Sequence, residues 1–347
     1  MALHLVLVLS FYMLLTLGAN GIMASVLQDF DCVDIYKQPA FQHPLLKNHK
    51  IQEIFISNES HRIKNKYQIN DQSCPKGMVP ISKQKNKTES VHLDTLEYPG
   101  QHFATIETVL DGTIYRGAEA YISLHNLTVQ NNQYSKSQIW LENGPQDQLN
   151  SIQVGWAVHP RLYGDSLTRF TIYWTADGYK KTGCYNIKCP GFVLVTRDLH
   201  LGTTFDRSSV YGGTTYYFQP KIFQDGFTGN WALKLFDEII GYWPKELFTH
   251  LNKGASLVRF GGNVFTSPSG ISPPMGNGHF PVIDFQKCSQ FYSVRVKNLN
   301  YQSVDIEEKK IRRYADSYQC YRLTYWGYVK SSGVLFTFGG PGGNCGA

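Results

Sequence analysis

Charge is scarce in this chain. Asp, Glu, Lys and Arg make up 17% of its 347 residues, and the net +6 is scattered, with Lys83, Lys85 and Lys87 the nearest thing to a cluster. A nucleic-acid surface needs a concentrated basic patch, so no such partner is expected. Long apolar runs are missing as well: beyond the N-terminal 25 residues no 18 apolar residues occur in a row, too little for a membrane-spanning helix. Signature motifs are absent. No Gly-x-Ser-x-Gly, no His-Glu-x-x-His, no Gly-x-x-x-x-Gly-Lys-[Ser/Thr] and no Gly-x-Gly-x-x-Gly between a strand and a helix is found, which removes four large enzyme classes. The tail Gly339-Gly340-Pro341-Gly342-Gly343 has no helix after it and reads as a turn. His102, His125, His159, His200, His250 and His279 have no two- or four-residue pairing, and Cys184-x4-Cys189 has the wrong spacing for a zinc knuckle. Neither a metal nor a cofactor is expected.

Helical periodicity is also rare. Only Ile239 to Leu251 carries it, with Pro244 placed to open a helix over Pro244 to Leu251, where its missing N–H is unpaired anyway. What is present is apolar and aromatic: 42% hydrophobic residues, with 22 Tyr and 20 Phe, enough for a real core. After His102 these residues fall into short runs closed by Gly, Asn, Asp or Pro, which read as strands. The runs are Phe103–Val109, Ala120–Val129, Ser137–Leu141, Ile152–Val158, Arg169–Thr175, Phe192–Thr196, Thr214–Phe218, Trp231–Phe236, Ser256–Val264, Phe291–Val296, Tyr321–Val329 and Val334–Phe338. So many strands with one short helix imply an all-β sandwich or barrel. Phe170, Ile172 and Trp174 alternate with Arg169, Thr171, Tyr173 and Thr175, and aromatics on both faces suggest a groove lined by Tyr and Trp.

The N-terminal residues 1–25 have the layout of a cleaved secretory signal, an apolar run followed by small residues, although the initial segment lacks Lys and Arg. The expected location is therefore extracellular, with no membrane attachment after signal removal. Sequons at Asn58, Asn86 and Asn126 agree with that route. Seven cysteines leave one over, and order along the chain suggests Cys32 with Cys74, Cys184 with Cys189 and Cys320 with Cys345, leaving Cys288. Residues 26–97 are polar and rich in Lys, Gln and Asn, with apolar residues for one short helix and a strand or two. They read as a small removable or docking prosegment in front of a domain over 98–347; the alternative is an unstructured spacer.

The blocks Arg169-Phe170-Thr171-Ile172-Tyr173-Trp174-Thr175-Ala176-Asp177-Gly178-Tyr179, Thr182-Gly183-Cys184-Tyr185-Asn186 and Cys189-Pro190-Gly191-Phe192-Val193 resemble the neprosin family of plant secreted proteins. Gln138-Ile139-Trp140, Ile152-Gln153-Val154-Gly155-Trp156, Leu162-Tyr163-Gly164-Asp165, Gly241-Tyr242-Trp243-Pro244, Phe260-Gly261-Gly262 and Met275-Gly276-Asn277-Gly278-His279-Phe280 agree, in order. Upstream, Asp34 to Phe41 and His43 to Lys50 resemble the family's activation segment. The resemblance implies an antiparallel two-sheet β-sandwich preceded by an inhibitory prosegment, and an extracellular location in the cell wall or apoplast. It also implies an acid-active endopeptidase that cuts after proline with two glutamates, one ionised to activate water and one protonated to support the oxygen as charge builds.

Matched to this chain, the two glutamates fall at Gln153, on the Ile-x-x-Gly-Trp strand, and at Asn263, after Phe-Gly-Gly. An amide donates and accepts hydrogen bonds but does not carry a proton on and off near working pH, so the dyad is expected to be disarmed. A shift of the match by a few residues would put Ala157 and Pro274 there, which are less able still. Asp165, Asp177, Asp237 and Glu238 are the nearby carboxylates in sequence, with turn roles expected for Asp165 and Asp177. Three readings follow: a secreted prolyl-endopeptidase-type enzyme, a silent relative that binds a proline-containing peptide or cell-wall protein, and a carbohydrate-binding wall protein.

Overall fold

Strand pairing turns that alternation into two large antiparallel sheets in the computed structural model, which describes residues 30–52, 73–83, 100–266 and 270–346. The segment 1–25 and the sequons at Asn58 and Asn86 lie outside the described residues. In chain order the strands are β1 (Phe30–Asp34), β2 (Met78–Ser82), β3 (Gln101–Thr108), β4 (Gly117–Ser123), β5 (Tyr134–Asn143), β6 (Asn150–Val158), β7 (Arg169–Thr175), β8 (Cys184–Tyr185), β9 (Val193–Leu194) and β10 (Tyr217–Phe218). They continue with β11 (Pro220–Gln224), β12 (Trp231–Leu235), β13 (Glu238–Trp243), β14 (Leu257–Phe265), β15 (Ser289–Lys297), β16 (Ser303–Asp305), β17 (Ile311–Ala315), β18 (Arg322–Val329) and β19 (Gly333–Gly339). One sheet runs β17-β3-β14-β5-β6-β7-β8; the other runs β18-β19-β15-β4-β11-β12-β13-β9, with β10 on β4 and β16 on β15.

Side-chain parity decides what lies between the sheets. Ile139 and Leu141 on β5, Ile152, Val154 and Trp156 on β6, Phe170, Ile172 and Trp174 on β7, and Phe260 on β14 are buried in one apolar cluster with Ala118, Ala120 and Ile122 of β4 and Phe291 and Phe336 of the facing sheet. Trp156 also ties the layers by a hydrogen bond, its Nε1 donating to the Ser123 carbonyl at 2.9 Å. The opposite parity of the seven-stranded sheet is therefore left facing away from the core.

The helix expected over Ile239 to Leu251 is not there. Glu238–Trp243 is strand β13, paired with β12 through Leu233↔Gly241, Ala232↔Tyr242 and Trp231↔Trp243, and the rest forms short 3-10 turns at Lys245–Leu247 and Leu251–Lys253. A β-branched and aromatic run flanked by partners on both sides gains a full ladder, and Pro244 ends the strand at φ −57°, ψ 137° instead of opening a helix. The short α-helix, α1, is a single turn at Pro160–Tyr163, closed by Gly164 at φ 79°. Strands β11 and β17 also lacked a readable signal, β11 beginning on a proline and β17 being a charged edge strand, Ile311-Arg312-Arg313-Tyr314-Ala315.

The N-terminal residues are docked by specific bonds. β1 pairs with β2, and the Cys32–Cys74 bridge lies beside them. Gln38, 1% exposed, completes the edge of β9: its Nε2 donates to the Leu194 carbonyl at 3.0 Å and its Oε1 accepts from Leu194 N–H at 2.7 Å. His49 meets the Tyr242 hydroxyl at 2.9 Å, and Ser82 Oγ donates to the Leu201 carbonyl at 2.6 Å. Ile35, Ala40, Leu46, Ile51 and Val79 belong to the same apolar cluster as the sandwich.

Burial holds three histidines below their ordinary pKa: His125, beside Ser123 and lowered to about 3, and His43 and His49 in the N-terminal segment. Each takes up a proton less readily in the fold than in the unfolded chain, whose histidines protonate below about pH 6.5, so stability falls as pH drops through that value, for His125 down to about 3. The His125 contribution is a slope of about 1.4 kcal/mol per pH unit. Urea midpoints measured between pH 7 and 4 should fall less steeply for His125→Gln than for the native chain; equal slopes would contradict this assignment.

Candidate functional site

The outward parity of the seven-stranded sheet brings the two matched amides together. Register places Trp140, Gln153, Tyr173 and Tyr185 in one row across β5, β6, β7 and β8, and Phe103, Asn263 and Lys136 in another across β3, β14 and β5. Between the rows lie Gly261, Gln138 and Gly155. A Cβ on Gly155 would come within 2.0 Å of the Ser137 carbonyl, and one on Gly261, at φ 149°, within 2.2 Å of the Ala104 carbonyl. Glycine is required at both, and its missing side chain leaves a trough. The result is a cleft of about 290 Å³, counted to its open mouth, lined by these two rows with Gln101, Tyr134 and Tyr179. Of the alternative positions, Ala157 sits opposite Lys136 on β6, and Pro274 lies outside the strands.

Gln153, 6% exposed, is held from three sides. Its Oε1 accepts from Gln138 Nε2 at 2.8 Å, and its Nε2 donates to the Tyr179 hydroxyl at 2.9 Å and to Ser151 Oγ at 3.3 Å. Tyr179 arrives from a turn with a left-handed backbone, φ 64°, and stacks on Tyr173 at 5.9 Å. Asp177 builds that turn: its carboxylate accepts the backbone N–H groups of Lys180, Lys181 and Thr182 at 3.1, 2.9 and 3.0 Å. Asp165 likewise has a structural partner, Arg169, at 2.5 Å, and Asp237 pairs with Lys221 at 3.0 Å. Neither reaches the cleft lining.

Asn263, 3% exposed, donates through Nδ2 to the carbonyls of His102 and Val264 at 3.4 Å. Beside it on β5 is Lys136, 4% exposed, whose ammonium donates to the Tyr185 hydroxyl and lies over the rings of Tyr134 at 3.9 Å and Tyr185 at 4.8 Å. Two carboxylates share this sheet face, and both are tied up. Glu107 is bridged by Arg312 at 2.6 Å, and Glu142 by Arg259 at 3.1 Å with Ser151 Oγ donating at 3.1 Å. Among the described residues the cleft thus offers amides, phenols and one ammonium, groups that bind and orient a polar chain but supply no carboxylate pair for acid and base work.

A family model described as Neprosin matches residues 131–341, and one described as Neprosin activation peptide matches residues 27–106. The chain belongs to the neprosin family. Among solved structures, it is similar to scytalido-glutamic peptidase with a peptide-based transition-state analog, at 10% identity and TM-score 0.37, covering 69% of this chain and 97% of that one. It is also similar to SCP-B, a member of the eqolisin family of peptidases in complex with the tripeptide Ala-Ile-His, at 8% identity and TM-score 0.35, covering 69% and 96%.

This neprosin-family chain carries the three bridges Cys32–Cys74, Cys184–Cys189 and Cys320–Cys345, while Cys288 keeps a buried thiol whose pKa burial pushes up. Asn126 is exposed at the surface. Among the described residues no group of three or more His, Cys, Asp or Glu could hold a metal ion, and no helix is long and apolar enough to cross a membrane. Sequence reading placed Tyr173 on the strand from which a Tyr- and Trp-lined groove was expected, and missed Lys136, Tyr134, Tyr179 and Tyr185 as cleft residues. The available signal was parity: Tyr134, Lys136, Gln138 and Trp140 share one face of β5.

Asp177→Ala removes three charge-assisted bonds from the Tyr179 turn and should lower stability by about 2 kcal/mol. Amide exchange at residues 177–182 should accelerate with it; unchanged protection there would contradict the role given to Asp177.

Proposed function

We propose that this protein is a secreted neprosin-family chain that binds an extended, proline-containing peptide in its cleft and does not hydrolyse it. The observation that carries the reading is chemical: both positions matched to the family's glutamates are amides, Gln153 and Asn263, and both line one cleft. Glutamic-peptidase chemistry needs one group to take a proton from water and another to give one, each worth roughly 10²–10⁴ in rate. An amide does neither, yet it pairs well with the N–H and C=O of a peptide backbone. Tyr179, half-buried and backed by Tyr173, offers a flat apolar face for a proline ring.

The disulfides and the N-terminal signal layout support an oxidising, extracellular setting, with glycans at Asn58, Asn86 and Asn126 and a prosegment over residues 26–97 in front of the domain over 98–347. The described parts of that prosegment dock on β9 and β13 of the other sheet, through Gln38 and His49. Removal of these described parts would uncover apolar surface on that sheet.

The test is incubation of the purified chain, with and without its N-terminal segment, with proline-containing peptides from pH 2.5 to 7, read by mass spectrometry. Peptides should be recovered intact, while the same peptides bind measurably in fluorescence polarisation. Cleavage after proline that Gln153→Ala or Asn263→Ala abolishes would overturn the reading and make those amides part of a working site.

A further inference from the structure

We infer that the N-terminal segment stays on the sandwich as a non-covalent subunit when the chain is cut between the two. This association does not depend on what the cleft holds. The bridges stay within the pieces: Cys32–Cys74 in the segment, Cys184–Cys189 and Cys320–Cys345 in the sandwich, with Cys288 a thiol. What joins the pieces besides the chain itself is therefore a buried apolar contact and a set of hydrogen bonds, as at an interface between subunits.

Among the described residues β9 is the last strand of the ten-stranded sheet. Gln38 closes its edge. One side-chain amide takes both the N–H and the C=O of Leu194, as a neighbouring strand would, and its Nε2 also donates to the Ile35 carbonyl at 2.7 Å. Beside it two 3-10 turns, Pro39–Gln42 and Pro44–Leu46, set Ala40 and Leu46 into the apolar cluster shared with the sandwich, Leu46 with no exposed surface. His49 and the Gln52 N–H then meet the Tyr242 hydroxyl on β13 at 2.9 and 3.4 Å.

Residues 73–83 supply the other half of the contact. Cys74 N–H donates to the Arg197 carbonyl at 2.9 Å, Ser73 Oγ donates to the Asp198 carboxylate, and Ser82 Oγ donates to the Leu201 carbonyl at 2.6 Å. The Phe30 ring lies 5.2 Å from that of His200. Pairing of β1 with β2 and the Cys32–Cys74 bridge fasten this half to the first, so the described part of the segment is one cross-linked unit. It can leave only by breaking these contacts together, which would put Ile35, Ala40, Leu46, Ile51 and Val79 into water and open the edge of β9. A cut removes the effective concentration that the tether supplies and none of the contacts.

A protease recognition sequence placed between Lys83 and Gly100 of the full chain lets the cut be made after folding. At about 1 µM in native buffer the two pieces should elute from size exclusion together as one 1:1 particle, and separate only in denaturant. On dilution of the cut protein, Leu46→Ala should weaken the association by at least about thirtyfold and Gln38→Ala by about tenfold. Leu45→Ala, at a side chain 59% exposed, should leave it unchanged. Should Leu46→Ala fail to fold, the cut native chain carries the test alone. A native segment that elutes by itself while the sandwich stays folded and monomeric would overturn the inference. A sandwich that gives up the segment and elutes as a dimer would also overturn it, a second copy then taking the face.

Discussion

Two-residue periodicity across β5, β6, β7 and β14 is the constraint on which the rest depends. One parity supplies Ile139, Val154, Trp156, Phe170, Ile172 and Phe260 to the core; the other must then present Lys136, Trp140, Gln153, Tyr173 and Asn263 away from it. A one-residue slip in any of these strands would bury the amides and expose the core. Trp156 fixes that choice twice, by filling the core and by bonding to Ser123 of the facing sheet, and Gln153 three residues earlier is thereby aimed into the cleft.

Among the described residues the cleft is polar without being acidic. Its carboxylate neighbours are consumed by arginines, its two matched positions are amides, and its one buried cation is wrapped in tyrosine. A continuous polar chain runs from Arg312 through Glu107, Arg259, Glu142 and Ser151 to Gln153, so the carboxylates brace the sheet face. Such a network fixes side-chain positions, which favours binding over proton transfer.

Much of this was legible before any coordinates. The Arg169–Thr175 strand, the aromatic groove and the cysteine pairs follow from alternation, composition and order along the chain. The failures have local causes. Ile239 to Trp243 reads as helix or strand until β12 and β9 are seen on either side of it, and β17 hides behind two arginines that a solvent-facing edge tolerates. Lys136 looks like one surface lysine among many. Only the pairing of β5 with β14 and β6 shows that its face is the cleft, and only the turn held by Asp177 brings Tyr179 over Gln153. Long-range pairing of this kind leaves no mark within a single segment.

On the proposed function, Gln153 and Asn263 hold a peptide rather than cut it. The most direct measurement is to follow the side-chain amide resonances of Gln153 and Asn263, assigned by substitution in a chain labelled at glutamine and asparagine nitrogen, while a proline-containing peptide is titrated in. Both pairs of signals should shift with one saturation curve, and the peptide should be recovered uncut. Signals that stay still while the peptide binds, or a peptide recovered as fragments, would contradict the account.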